Sequence, residues 1–261
     1  MIEIKKIVSS DRKINLHKDY IMTLAEPIDG FWEIVMIGRS ECYEVIYNEK
    51  VVGHFFVNSS KSLMQFHVLK EYFTHASEIF EYVIKSHIVE NAAVSTKEPK
   101  FLSLCLDYQK SMVVDTFLFT DNSKNKHELE GLNNLSFRLA KTVDIDIIKN
   151  KCDTPFYGYY EDLIENDQLF VLYDNSSFLG IGEFRISKSN GQYGDIGMVV
   201  AEECRRKGIG TYIITQLKQH CYYNKLKPVA SCDIKNTASK KTLEKSGFIS
   251  NHRIIRVSFS R

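Results

Sequence analysis

Residues Asp195–Gly210 read DIGMVVAEECRRKGIG. After Asp195 the next five are apolar or glycine and end in Val199-Val200, a strand pattern. A short polar turn follows, and Gly208 and Gly210 then open a helix. In that helix Ile209, Tyr212, Ile213, Leu217 and Cys221 recur at helical spacing. The first turn of a helix carries unpaired N–H groups and a partial positive charge, a ready site for phosphate oxygens. Glycine at such a turn lets backbone N–H groups approach a ligand with no Cβ in the way. Arg205, Arg206 and Lys207 add cationic side chains at the rim. Neither GxxxxGK[ST] nor a GxGxxG after a strand is present, so the two commonest nucleotide phosphate loops are not supported.

Working outward, the same order of elements is expected twice. Tyr43–Gly53 (YEVIYNEKVVG) and Leu169–Gly180 (LFVLYDNSSFLG) are both two β-rich runs around a polar turn, a hairpin signature. A third strand follows in each half, Leu63–Leu69 and Asp195–Val200. The pattern then predicts a helix (Thr74–Val89; Gly208–Asn224), a strand (Ala92–Thr96; Pro228–Ile234) and a short helix (Lys100–Tyr108; Thr237–Ser246). A last strand, Val113–Phe119 or Arg253–Phe259, closes each half. The order β-β-β-α-β-α-β thus repeats, with low identity between the copies. The polar stretch Asp121–Asn134, DNSKNKHELEGLNN, reads as the connection between two domains, residues 1–125 and 126–261.

Composition sets the bounds. The 261 residues carry a net charge of +1 and are 44% hydrophobic, a globular composition with no global field for nucleic acid or an anionic membrane. No apolar run approaches the length of a bilayer-spanning helix, and the charged N-terminus does not read as a signal peptide, so a cytoplasmic protein is expected. The six cysteines have no CxxC spacing and read as reduced, mostly buried thiols. No His spacing suggests a metal site. Charge is uneven: residues 1–130 carry 15 Lys/Arg against 19 Asp/Glu, and residues 131–261 carry 19 against 14. An anionic ligand is better accommodated in the second half.

Arg205–Gly210 resembles the (Q/R)xxGx(G/A) pyrophosphate loop of the GNAT N-acetyltransferases, and DIGMVV resembles that family's central strand. Asn236-Thr237-Ala238-Ser239 through Ser246-Gly247-Phe248 is similar to its second signature, at the expected spacing. The likeness covers roughly residues 134–261; the first half shares the element order alone. The resemblance implies an α/β fold of mixed α+β sheets: two tandem GNAT-like domains, each a central mixed sheet flanked by helices. It implies acetyl-CoA or another acyl-CoA as cosubstrate, without a metal. Its pyrophosphate would lie on Arg205, Arg206, Lys207, Gly208, Ile209, Gly210 and Thr211. Its pantetheine arm would enter where Asp195–Val200 and Pro228–Ile234 splay, pairing with Met198, Val199 and Val200. The amide of Val199 or Val200 would polarise the thioester carbonyl, and Asn236 and Ser239 would flank the cofactor on the other side.

Proton transfer needs further groups. Asp195, which shares a strand face with Gly197 and Val199, and Glu183 on the neighbouring strand are the candidate catalytic carboxylates. Many relatives carry a tyrosine as general acid where this chain has Leu243, which donates no proton. Cys232, Ser231 and the tyrosines of Phe156-Tyr157-Gly158-Tyr159-Tyr160 are the substitutes considered, the last chiefly as a packing cluster. Trp32 reads as core packing. Residues 66–80, FHVLKEYFTHASEIF, contain no glycine, so the first half is not expected to bind CoA in the family's manner. The reading is an acetyl-CoA-dependent N-acetyltransferase acting on a primary amine, a small molecule before a peptide or protein amine, by direct attack in a ternary complex. The rival is a non-catalytic acyl-CoA sensor or scaffold. Neither nucleic acid nor membrane is expected as a partner, and the sequence leaves the oligomeric state open.

Overall fold

A computed structural model describes residues 1–26, 28–122, 134–153, 155–187 and 191–260. In chain order the elements are β1 (Ile2–Ile7), α1 (Ser10–Met22), β2 (Glu41–Tyr47), β3 (Lys50–Val57), β4 (Ser62–Val68), α2 (Ala76–Lys85), β5 (Asn91–Ser95), α3 (Pro99–Tyr108) and β6 (Gln109–Asp121). Then follow β7 (Leu135–Leu139), α4 (Ile145–Lys151), α5 (Tyr159–Glu165), β8 (Leu169–Asp174), β9 (Ser177–Ile186), β10 (Tyr193–Val200), α6 (Ile209–Tyr223), β11 (Lys227–Asp233), α7 (Thr237–Lys245) and β12 (Phe248–Phe259). The repeated order expected from sequence is present, as β2–β6 with α2 and α3, and again as β8–β12 with α6 and α7. Most of the polar stretch expected to connect the domains lies outside the described residues. The chain divides into two compact units: Met1–Leu118 with Ser187–Asn190 and His252–Arg261, and Phe119–Ile186 with Gly191–Asn251.

In the first unit β1–β4 form an antiparallel meander. Asn48 and Glu49 at the β2–β3 turn both have positive φ (48° and 67°), the geometry that matches hairpin twist. A register shift in the β3–β4 pairing between Phe56 and Val57 interrupts the alternation, and Phe55, Leu63 and Phe66 enter one core with Ile79, Phe80 and Val83 of α2 and Phe101 of α3. Phe56 and Met64 enter a second core with Trp32. The parallel contact of β4 with β5 is brief, Ser62↔Asn91 and Leu63↔Ala92.

The end of β12 departs from expectation. Arg253–Phe259 reads as the strand closing the second half, yet it pairs antiparallel with β5 of the first unit, from Ile254↔Ser95 to Ser258↔Asn91. Its apolar residues explain the placement: Val257 and Phe259 complete the first core and Ile254 the second.

In the second unit β7–β10 form the meander, and β11 joins β10 in parallel. Helix α6 lies close against this sheet because β9 and β10 supply glycines beneath it. A Cβ on Gly182 would come within 3.0 Å of Ile213 and Leu217, and one on Gly194 within 2.8 Å of the Cys221 sulfur. The buried Lys218 of α6 pairs with Asp121 (2.7 Å) and donates to the Ser246 carbonyl (2.7 Å). These contacts set the height at which the N-terminus of α6 meets the end of β10. All six cysteines are free, and all but Cys204 are buried. Among the described residues no helix is long and apolar enough to cross a membrane.

Candidate functional site

The parallel ladder between β10 and β11 is short. It runs from Tyr193↔Lys227 to Asp195↔Val229 and stops, although β10 continues to Val200 and β11 to Asp233. On its other edge β10 stays paired with β9 through Val200↔Gly180. The strands therefore splay beyond Asp195, leaving one backbone edge of Ile196–Val200 without a strand. Backbone groups alternate along a strand, and two contacts fix the phase. Ala201 donates its N–H to Leu179 (3.0 Å), and the Val199 carbonyl lies against Gly180, both on the β9 side. Met198 and Val200 consequently turn their N–H groups to the open edge, and Val199 turns its own away. Of the two amides expected to polarise a carbonyl, Val200 has the right direction and Val199 does not.

Next to the open edge stands the N-terminus of α6. Gly208 caps it at φ 81°, with no side chain bonded to the cap, and Arg206 before it is also left-handed at φ 65°. Among the described residues the N–H groups from Arg206 to Thr211 meet no carbonyl or side-chain acceptor; the first to do so is Tyr212, on Gly208 (3.0 Å). Arg205, Arg206 and Lys207 are exposed, and Arg205 Nε bonds the Val200 carbonyl (3.3 Å). Gly210 also has a packing reason: a Cβ there would sit 3.2 Å from Thr242 of α7. This turn is an anion cradle with basic side chains around it.

Asn236 has a defined structural task. It is the N-cap of α7, its side chain accepting from the Ser239 N–H (3.0 Å). Ser239 is half-buried near Cys232, whose thiol burial pushes up to about 11. Leu243 is buried, so its position offers packing in place of a proton donor.

The candidate carboxylates lie on the face of the sheet opposite α6. Cross-strand partners share a face, so Asp195 with Arg185, and Gly197 with Glu183, line one surface. Arg185 donates to Asp195 Oδ2 from Nε (2.8 Å) and Nη2 (2.6 Å), and from Nη1 to Glu183 Oε2 and to the Tyr159 hydroxyl (2.7 Å). Tyr159 in turn donates to Glu183 Oε2 (2.8 Å). All four residues are buried. Burial disfavours the Arg185 charge, but Asp195 and Glu183 outweigh it and hold the guanidinium well above its ordinary pKa. Burial pushes the Tyr159 phenol far up, and Arg185 offsets only part of that.

This cluster contains both carboxylates expected from sequence, Asp195 and Glu183. Asp195 Oδ2 takes two N–H bonds from the buried guanidinium, and Glu183 Oε2 takes one from it and one O–H bond from Tyr159. Asp195 orients Arg185. Glu183, facing the side-chain-free Gly197, is the carboxylate beside the half-buried part of β10. Arg185 serves both carboxylates at once, Asp195 through Nε and Nη2 and Glu183 through Nη1.

Arg185 is not among the residues expected from sequence, and Tyr159 is expected chiefly to pack, with proton donation as the alternative. The Glu183-Phe184-Arg185 alternation was the available signal, since it puts both charges on the face of Asp195. The rest of the tyrosine cluster divides: Tyr160 is buried and donates to the Asp153 carbonyl (2.5 Å), and Tyr157 is exposed.

Comparison with known proteins agrees with this geometry. "Acetyltransferase (GNAT) domain" matches residues 9–122, and "Acetyltransferase (GNAT) family" matches residues 139–248. A solved acetyltransferase from the GNAT family of Colwellia psychrerythraea is 28% identical, with a TM-score of 0.88 over 99% of this chain and 100% of that one. A tandem GNAT protein from the clavulanic acid biosynthesis pathway shares the fold at 10% identity, with a TM-score of 0.65 over 98% and 97% of the two chains. A GCN5-related N-acetyltransferase from Sphaerobacter thermophilus does so at 12% identity, with a TM-score of 0.59 over 98% and 94%. No curated protein matches the chain.

Proposed function

Because the chain belongs to the GNAT acetyltransferase family, with one domain of that family in each half, we propose that its second unit transfers an acetyl group from acetyl-CoA to a primary amine of a small molecule. The observation that carries this reading is the open edge of Ile196–Val200 beside the glycine-capped α6. The amides of residues 206–211, with Arg205–Lys207, would hold the pyrophosphate. Met198 and Val200 would pair with the pantetheine arm. Asn236 and Ser239 at the start of α7 would flank it.

In a ternary complex the amine nitrogen attacks the thioester carbon, the C–S bond breaks and the thiolate leaves. An N–H of the open edge, Val200 first, would stabilise the oxyanion. Glu183, beside the half-buried part of β10, would take the proton of the bound ammonium before attack. Arg185 and Tyr159 act through Glu183 and are positioning residues, as is Asp195. Burial pushes the Cys232 thiol up to about 11, so it is protonated at neutral pH and would supply the leaving thiolate's proton.

Buried Leu243 favours a second reading, a non-catalytic acyl-CoA sensor. Peptide and protein amines belong to the same test. Acetyl-CoA binding is measured by calorimetry, and thiol release is followed with small amines and with peptides. The proposal expects both binding and amine-dependent release. Binding without release over the whole panel supports the sensor, and absence of acetyl-CoA binding rejects both.

A further inference from the structure

The first unit contains a cavity of about 310 Å³. It lies where β4 ends, against the start of α3, the end of α1 and residues 73 and 76 at the entrance to α2. These are the counterparts, in the first copy of the repeat, of the elements around the anion cradle. The cradle itself is missing: Leu69–His75 contains no glycine and winds into a 3-10 turn from Lys70 to His75. Phe66, Phe73, Phe101 and Leu104 make the cavity wall apolar.

One group is out of place in such a wall. Glu98 lines the cavity and is buried, 1% exposed. Its carboxylate accepts from the Tyr20 hydroxyl (2.6 Å) and from the Ser95 N–H (2.8 Å). Both partners are neutral. The nearest lysine in sequence, Lys97, pairs with Glu26, and Lys100 lies over the Phe73 ring. A buried carboxylate normally has a cationic partner. Here the open space beside it is lined by aromatic rings, whose faces also favour a cation.

We propose that this cavity is a ligand site for a small primary amine with an apolar, aromatic-sized body, its ammonium paired with Glu98 between the rings. The volume suits a compact ligand, and the missing cradle gives no hold for a phosphorylated one. The site is distinct from that of the proposed acetyl transfer and does not rest on it.

The pH dependence has a definite sign. Burial pushes the Glu98 carboxyl up to about 7. The amine needs the ionised form, so affinity is full above pH 7 and falls below it. The other titratable groups facing Glu98 are Tyr20 of α1 and Cys105 of its own helix, both pushed up by burial and neutral in this range. His67 of β4, held below its ordinary value by burial, and Lys100 complete the charged or titratable part of the wall.

The test uses the full chain without acetyl-CoA, by calorimetry, with phenethylamine, 2-phenylethanol and phenylacetate. Phenethylamine should bind at least about ten-fold tighter than the other two at pH 8. Its affinity should fall about ten-fold between pH 8 and pH 6. Glu98→Gln should abolish both the preference and the pH slope. Ala76→Met, which fills the cavity, should weaken binding of all three; with the wild-type pH profile it decides the matter if the first variant does not fold. No saturable binding, equal affinities, or a preference for the amine that survives in Glu98→Gln overturns the proposal.

Discussion

Replacing Arg185 by methionine tests the buried cluster directly. Methionine keeps much of the side-chain volume and removes the charge. It leaves Glu183 and Asp195 facing each other across one sheet face, with side chains 12% and 3% exposed. Removing one member of a buried ion pair costs about 3–5 kcal/mol. Repulsion between the two carboxylates, at about 7 Å across the diagonal of a sheet face and an effective dielectric near 20, adds roughly 2 kcal/mol when both are ionised. That repulsion acts only while both carboxylates are ionised. The loss is therefore smaller at acid pH, where a carboxyl is protonated, than at pH 8. Urea unfolding of Arg185→Met at pH 5 and pH 8, followed by far-UV circular dichroism, measures it. The second unit lacks tryptophan, so fluorescence of Trp32 follows the first unit separately. A loss of about 3 kcal/mol or more at pH 8, clearly smaller at pH 5 and partly recovered in Arg185→Met/Asp195→Asn, is expected. A loss under about 1 kcal/mol, or one independent of pH, refutes the account of the cluster.

Four further outcomes are expected. Gly208→Ala forces an L side chain into φ 81°, which costs about 1 kcal/mol, and should weaken acetyl-CoA at least ten-fold by calorimetry. Gly158→Ala, at φ 82° with open space around it, should lose similar stability and leave acetyl-CoA affinity unchanged. Asn236→Ala should lower stability by about 1 kcal/mol through loss of the α7 cap, and Asn236→Asp should restore it in thermal melts. Glu183→Gln keeps an acceptor for Tyr159 and removes the base; kcat should fall about 100-fold or more with acetyl-CoA affinity intact, and a kcat within three-fold of wild type removes Glu183 from catalysis.

By itself the sequence determined the features that depend on neighbours along the chain. The glycine-opened helix at Gly208–Gly210, the hairpin turn at Asn48-Glu49 and the doubled order of strands and helices are all written in turn chemistry and periodicity. Period 2 also puts Asp195, Gly197 and Val199 on one face without any coordinates. Tertiary structure decided what depends on cross-strand neighbours. It set Arg185 opposite Asp195, so that both candidate carboxylates are bonded to one guanidinium. It phased the backbone so that Val200, and not Val199, offers its N–H to the open edge. It also sent the last strand to β5, where Val257 and Phe259 find the apolar core that no local pattern names. Register and pairing are made by residues far apart in the chain, and each residue's own propensity is silent about them.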